Sequence, residues 1–339
     1  MARVSVMIPT YNYGHFLGEA IQSVLDQTFQ DFEIIVVDDG STDNTREVVN
    51  SFKDTRVRYI YQDHRGVSAA QNAAIYAASG EYITGVAADD LFLPQNLEIK
   101  VKLLDSRPDV GLVYSDAYLF DNNTGDNIGR LWRDPKGSHP RFDRVKAVQQ
   151  PLKELLCNGC FIMPQASMMR RQVFAAVGYY DESLPTHEDW DLIIRVVQRF
   201  PIELIDTPLL KIRRHSTNLT GSQEKMYLGA AAAANKVMRS GSLSGDELKL
   251  LKERLLPQHI LYARLALLDG KEAAARKTLI SGIRLEPWNI KLYVYFVLSM
   301  LGTRKVLVLR NWKKKLGRHS AGCQSSGDTS SIGSQSYLE

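Results

Sequence analysis

The sequence predicts an α/β protein in which a mostly parallel central sheet is followed by a helical C-terminal region. Three observations carry this reading. Short apolar runs alternate with amphipathic stretches through about the first 105 residues, two of those runs end in paired aspartates, and the composition shifts after Thr220. Strands that alternate with helices need crossover connections, and crossovers make parallel strands.

The elements follow in order. Val4 to Pro9 is β-branched and apolar and runs into the polar Thr10-Tyr11-Asn12, as a buried strand entering a loop does. Phe16, Leu17, Ala20, Ile21, Val24 and Leu25 then recur at three- and four-residue spacing and predict a helix with one apolar face. Glu33 to Asp39, EIIVVDD, is a continuous apolar run closed by two acids, which suits a central strand covered on both faces. The cluster Ser41 to Thr45 supplies N-caps for a helix through Phe52. Val57 to Tyr61 predicts a third strand, Ser68 to Ala78 a helix, and Tyr82 to Ala87 a fourth strand that ends in Asp89 and Asp90. Beyond Pro94 the spacing predicts a strand over Val110 to Tyr114, a polar loop over Asp121 to Arg144, a strand and short helix within Pro164 to Val177, and a helix from Glu188 through Phe200.

From 221 to 318 the patterning is helical, with turns at Gly241 to Gly245, Gly270 and Pro287, and the Ser- and Gly-rich 319–339 reads as a disordered tail. Ile290 to Leu301 is apolar but shorter than the ~20 residues of a spanning helix. Seven basic residues, Arg304, Lys305, Arg310, Lys313, Lys314, Lys315 and Arg318, follow it, interleaved with Val306, Leu307, Val308, Leu309 and Trp312. Such a segment fits an anionic membrane surface, and it equally fits a packed hairpin with a solvated basic end. The net charge of +4 over 339 residues argues against nucleic acid as a partner. Three cysteines make a poor disulfide framework. Cys157 and Cys160 resemble half a zinc site without the other half, and buried or incidental thiols are favoured. With a strand pattern where a signal peptide's apolar stretch would stand, the expected location is cytoplasmic, and peripheral on the inner face of the plasma membrane on the first of those two readings of the basic end.

In open parallel sheets ligands bind outside the carboxyl ends of the strands, so the acids there are the first candidates. Asp89 and Asp90 could hold a hard divalent cation that offsets the charge of a departing diphosphate, or could cap the next helix. Asp38 and Asp39 could accept the imide proton of uracil or ribose hydroxyls, or form a turn and cap. Glu188 and Asp189, at a predicted helix start, could remove a proton from an acceptor hydroxyl, or could complement the helix dipole. Trp190 beside them is an amphipathic ring suited to a sugar face or a cleft wall.

Taken together, VSVMIPTYN, EIIVVDDGSTDNT, GVSAAQNAA, GEYITGVAADD and GYYDESLPTHEDWDLIIR resemble family 2 glycosyltransferases, over roughly Val4 to Thr220. The resemblance implies a GT-A fold, Rossmann-like with a mostly parallel sheet, as a catalytic domain over 1–220. It implies inverting transfer from a nucleotide diphosphate sugar, a UDP-sugar first, with Mn2+ or Mg2+ as cofactor and a saccharide or lipid-linked acceptor. Cell-surface polysaccharide or glycolipid synthesis is the expected setting. By the same resemblance Pro9, Thr10, Tyr11, Asp38, Asp39 and Asp89 bind the donor nucleotide, Asp90 and Asp89 the metal, and Asp189 is the general base with Glu188 beside it. His215, in KIRRHSTNLT, matches a segment that approaches the diphosphate, although an exposed loop histidine is the alternative. Two positions depart from the family pattern: Ala87 stands where many members carry Asp, and Gln71 where many carry Arg. A noncatalytic sugar-nucleotide binder would need no Glu188-Asp189 pair, and a nucleotidyltransferase would carry a Gly-rich phosphate loop, where PTYNYGHF has one Gly.

Overall fold

The computed structural model describes residues 2–130, 144–215 and 223–300. The chain divides into two compact units, Met1–Leu255 and the part from Leu256 onward. The basic run within 304–318 and the predicted tail at 319–339 lie outside the described residues.

In the first unit β1 (Val4–Thr10), β2 (Phe32–Asp38), β3 (Val57–Tyr61) and β4 (Tyr82–Gly85) lie side by side in the order β3-β2-β1-β4, all parallel. The crossovers carry α1 (Gly14–Leu25), α2 (Thr45–Ser51) and α3 (Val67–Ala77). β2 is buried along its whole length, which is why its apolar run is continuous rather than alternating. Its one interior acid, Glu33, accepts hydrogen bonds from Ser5 and Ser79 at 2.7 Å each and pairs with Arg58 at 2.6 Å, so its burial leaves no unmet charge. The register sets Thr10 opposite Asp38, which brings the ends of β1 and β2 to one edge. α1 starts at Gly14, ahead of its apolar face. The Gly14 N–H donates to Asp43 Oδ2 at 2.9 Å, and a Cβ at that position would lie 2.5 Å from Asn44 Oδ1, so only glycine lets this turn approach α2 so closely.

The chain continues through β5 (Leu91–Phe92), α4 (Asn96–Ser106), β6 (Leu112–Asp121), β7 (Asn127–Arg130), α5 (Arg144–Gln149) and α6 (Pro151–Asn158). Next come β8 (Ser167–Arg170), α7 (Arg171–Val177), α8 (Glu188–Val197), β9 (Ile202–Arg214) and α9 (Gln223–Arg239). Beyond β4 the sheet runs β8-β6-β9-β5, with β7 paired to β6. Of the nine strands among the described residues, β3, β2, β1, β4, β6 and β9 share one direction, and β5, β7 and β8 oppose them.

β6 runs well past the predicted end at Tyr114 because β9 pairs with it in parallel from Leu112 to Asp121. Ser115 and Asp116 hide this in the sequence: they are buried polar residues in the middle of the strand, and Asp116 is neutralised by Arg130 of β7 at 2.6 Å. Neither β7 nor β9 was expected as a strand. β9 matters most for the site, since its antiparallel pairing with β5 at Leu91↔Lys211 carries Arg213 and His215 back to the acids that precede β5.

The C-terminal helices are α9, α10 (Gly245–Leu268), α11 (Glu272–Leu285) and α12 (Ile290–Met300), separated at the expected turns. Lys236 of α9 pairs with Asp181 at 2.7 Å and with Asp191 at 2.9 Å, so this helix belongs to the first unit, and the division between units falls within α10. In the second unit α11 and α12 form an antiparallel hairpin. Leu292 is fully buried against Gly282, where even a Cβ would lie 2.9 Å from its side chain.

Candidate active site

At the ends of β1 and β2, donors close around both acids. Asp38 Oδ1 accepts the Ser41 N–H at 2.8 Å, and its Oδ2 accepts the Tyr59 hydroxyl at 2.6 Å. Asp39 Oδ1 accepts from Gln62 Nε2 at 2.6 Å and from the Arg65 N–H at 2.9 Å, while its Oδ2 accepts the Gly66 N–H at 2.8 Å and lies 2.8 Å from His64 Nδ1. Asp39 thereby shapes the loop 62–66. A carboxylate offers about four lone pairs, so a bound base reaching Asp39 must share or displace one of these donors. The Asp39 N–H donates to Thr10 O at 2.9 Å, which ties the two strand ends together. Thr10 Oγ1 is buried without a partner, beside Pro9 in the same strand. Tyr11 is exposed and its ring stacks on His64, centroids 4.2 Å apart and 26° from parallel. Together the two rings offer a flat platform next to Asp38 and Asp39. His64 was not legible as a site residue, because only tertiary contact brings it under Tyr11.

At the end of β4, Asp90 is buried, and its Oδ1 accepts the Arg213 N–H at 3.0 Å. Its Oδ2 has only a long 3.5 Å contact from Gln165 Nε2. Burial, and then the charge of Asp89, push the Asp90 carboxyl up to about 8. Asp89 Oδ2 lies 2.9 Å from His215 Nε2. Arg213 braces both acids. Its guanidinium sits 4.7 Å from the rings of Phe16 and Phe120, with Nε donating to Asp89 O at 2.8 Å and Nη2 bound to Glu19 at 2.7 Å. Arg213 stands in the KIRRHSTNLT stretch, yet no local signal separates it from Arg214.

Among the described residues no group of three or more His, Cys, Asp or Glu side chains is arranged to hold a metal ion. Asp89 and Asp90 nevertheless suit a hard cation. Both are oxygen donors, and the buried Oδ2 of Asp90 lacks a strong hydrogen bond, so a cation there would meet an unmet need and take its other ligands from water or a bound phosphate.

The third acidic group opens α8. His187, in the left-handed conformation at φ 64°, turns the chain into the helix, so Glu188 and Asp189 occupy its first turn. Both are half-buried. Burial and the neighbouring Asp189 push Glu188 up to about 7, and burial likewise raises Asp189, whose Oδ1 accepts the Trp190 N–H at 2.7 Å. His187 is pushed down to about 4 by burial and then by Arg254, so it is neutral at pH 7. Asp191 anchors the helix from below through Arg195 at 2.8 Å and Lys236 at 2.9 Å.

Trp190 does not meet the expectation of a sugar-facing ring. It is 1% exposed, donates from Nε1 to Leu155 O at 2.9 Å, and lies under the Arg254 guanidinium at 5.2 Å. It joins α6 to α8 in the core. An indole can present its apolar body or bury it, and the sequence could not separate the two.

Two connections bring these groups toward one crevice. The short segment Cys160 to Gln165 touches both acidic centres: the Cys160 thiol, raised by burial and so protonated, lies against Asp189, while Gln165 reaches Asp90. On the other side Asn72 of α3 exchanges two 3.0 Å hydrogen bonds with the Tyr180 backbone, and Arg65 pairs with Glu182 at 2.7 Å, so the loop shaped by Asp39 is clamped to the segment leading into α8. Cys157 and Cys160 are both free thiols.

In a mostly parallel α/β sheet ligands bind outside the carboxyl ends of the strands, which is the edge where these acids lie. Residues 5–178 match the family described as Glycosyl transferase family 2, and the chain belongs to that family. A glycosyltransferase of Rickettsia conorii, itself uncharacterized, is 33% identical over 215 residues, which cover 63% of this chain and 34% of that protein. The chain thus spans about a third of that relative's length. Among solved structures, Staphylococcus aureus TarS 1–349 in complex with UDP-GlcNAc superposes with a TM-score of 0.61 at 18% identity, covering 90% of this chain and 92% of that one. The mannosyltransferase PcManGT of Pyrobaculum calidifontis, in complex with GDP-Man and Mn2+, superposes at 0.54 and 17% identity, covering 88% and 86%. At these identities the likeness is one of fold, and the fold is GT-A-like.

Proposed function

We propose that the chain is an inverting glycosyltransferase that moves a sugar from a nucleotide diphosphate donor, a UDP-sugar first, to a hydroxyl of a saccharide or lipid-linked acceptor. The observation that carries the reading is the pairing of two acidic centres through Cys160 to Gln165, one suited to a cation and one suited to a proton. In this reading the transfer machinery lies within 1–220, and 221–318 is an accessory helical region.

The Tyr11–His64 platform and the strand end at Pro9 and Thr10 receive the base, with Asp38 and Asp39 behind it. Asp89 and Asp90 would hold Mn2+ or Mg2+, which supplies charge stabilisation to the departing diphosphate. His215, set against Asp89, adds a contact from the β9 side. Asp189 accepts the proton of the attacking hydroxyl, and Glu188 keeps a proton near neutrality that limits the negative charge beside it. Attack from the face opposite the leaving group inverts the anomeric centre. TarS with UDP-GlcNAc and PcManGT with GDP-Man and Mn2+ support the donor class and the cation. The setting we favour is cell-surface polysaccharide or glycolipid synthesis in the cytoplasm, with a peripheral position on the inner face of the plasma membrane suggested by the basic residues from Arg304 to Arg318. Among the described residues no helix is long and apolar enough to cross a membrane.

A donor screen that detects released nucleoside diphosphate, with and without Mn2+ or Mg2+, tests the proposal. Release that requires both an acceptor and the cation supports it. Tight donor binding without turnover on any acceptor would favour the noncatalytic binder.

A further inference from the structure

α12 has two unlike faces. Leu292 and Ser299 are buried, and Ser299 O accepts from Arg276 Nη1 at 3.1 Å, so that side of the helix is committed to α11. On the other side Ile290, Tyr293, Val294, Val297 and Met300 are exposed, from 44% for Tyr293 to 76% for Ile290. At 100° per residue these five fall within an arc of about 120°. Trp288, just ahead of the helix, is 94% exposed. Scattered exposed apolar residues need no explanation, but a continuous stripe of five with a tryptophan at its head does.

We propose that this stripe is the surface by which the chain lies on an anionic lipid bilayer, with Trp288 at the headgroup level and α12 parallel to the membrane plane. Three features select this occupant. The apolar run in the sequence, Ile290 to Leu301, is about twelve residues against the ~20 a spanning helix needs, so its apolar face suits the interface. An indole next to a helix end is the side chain that favours the boundary between headgroups and acyl chains. In sequence the stripe leads directly into Arg304 to Arg318, which holds seven basic residues and no acidic one. A second copy of the chain would bring that same positive charge against itself, whereas anionic headgroups complement it. The inference deepens the peripheral placement proposed above, and the transfer reaction plays no part in it.

Sedimentation of the full chain with vesicles tests it, comparing phosphatidylcholine mixed with phosphatidylglycerol at two to one against phosphatidylcholine alone. The wild type should pellet with the mixed vesicles only. Val297→Asp, which places a charge in the middle of the stripe, should lower partitioning at least ~10-fold, because an acid must then leave water beside anionic headgroups. Replacing Lys313, Lys314 and Lys315 together by Gln should lower it about 100-fold, at about fivefold per basic residue. Should Val297→Asp fail to fold by circular dichroism, quenching by brominated acyl chains replaces it: the bilayer should quench the wild type more than Trp288→Phe. If the wild type does not pellet, the peripheral placement itself fails. If it pellets while Val297→Asp binds as well and Trp288 is not quenched, the placement survives and the stripe is not the contact. A dimer in light scattering that Val297→Asp dissociates, without vesicle binding, would assign the stripe to a second copy and overturn the proposal.

Discussion

Replacing Lys100 with Met should stabilise the protein, and more so at neutral than at alkaline pH. Lys100 lies on α4 with no exposed surface, its Nζ has no hydrogen-bond partner, and the nearest compensation is the Phe92 ring at 5.4 Å. Burial alone pushes its ammonium from 10.5 down to about 7. At 1.36 kcal/mol per pH unit, that depression corresponds to ~5 kcal/mol. Because the folded value is the lower one, the unfolded chain holds an extra proton between pH 7 and 10.5. Wild-type stability should therefore carry nearly the full penalty at or below pH 7 and recover it as pH rises through that window. Met keeps most of the apolar stem and removes the charge, so we expect a gain of about 3 to 5 kcal/mol at neutral pH, after allowing for the lost ring contact and imperfect packing. Urea denaturation of both proteins from about pH 6 to about pH 10 measures it, since other groups titrate equally in both and cancel in the difference. A Lys100→Met protein that is less stable at neutral pH, or a stability difference that does not shrink toward alkaline pH, would refute the reasoning.

Asp189→Asn should lower transfer at least ~100-fold while leaving nucleoside diphosphate affinity near the wild-type value, because it removes the base and no donor contact; wild-type turnover on a verified acceptor would exclude Asp189 as the base. Asp90→Ala should abolish Mn2+-dependent binding of the nucleoside diphosphate, and calorimetry showing an unchanged cation-dependent affinity would remove Asp90 from the site. Burial raises both Glu188 and Asp189, so transfer should fall when acid adds the second proton to the pair and occupies the base, and Glu188→Gln, which removes the neighbouring negative charge, should move that acid limb to lower pH; a limb that stays in place in the variant would show that the two carboxyls do not titrate together.

Much of the first half of the chain was legible because its strands are local and apolar. VSVMIPT and FEIIVVD declare themselves as buried strands, and Asp38 and Asp39, which close the second, mark the carboxyl edge without further help. The C-terminal helices were equally open to reading, since Gly241 and Gly270, both at positive φ, punctuate them. The middle was not. β6 carries Ser115 and Asp116 inside a strand, and a partner 14 residues away, Arg130, pairs with Asp116 there, so periodicity stops where the strand does not. β9 joins the site through pairing across roughly 120 residues, from Leu91 to Lys211, a distance at which no local pattern operates. The roles of Arg213 and His64 depend on that kind of contact. Trp190 shows the opposite limit: its position next to two acids was visible, but the direction of its ring was not.

The acids at the two strand ends are both buried, yet the fold treats them differently. Asp39 is met by Gln62, Arg65, Gly66 and His64, a set of donors that turns it into the organiser of a loop. Asp90 receives one backbone N–H and one long amide contact, and it keeps its proton affinity high instead. A buried carboxyl left this short of donors destabilises the fold unless something outside the chain completes it. Evolution could have closed the site with another donor, as it did for Asp39 and for Glu33. The unmet need at Asp90 is therefore a stronger pointer to an exogenous partner than the acidic motif alone. Among the described residues, the edge where β4 ends and β9 returns is where the sheet sets such a carboxyl beside a second one, Asp89.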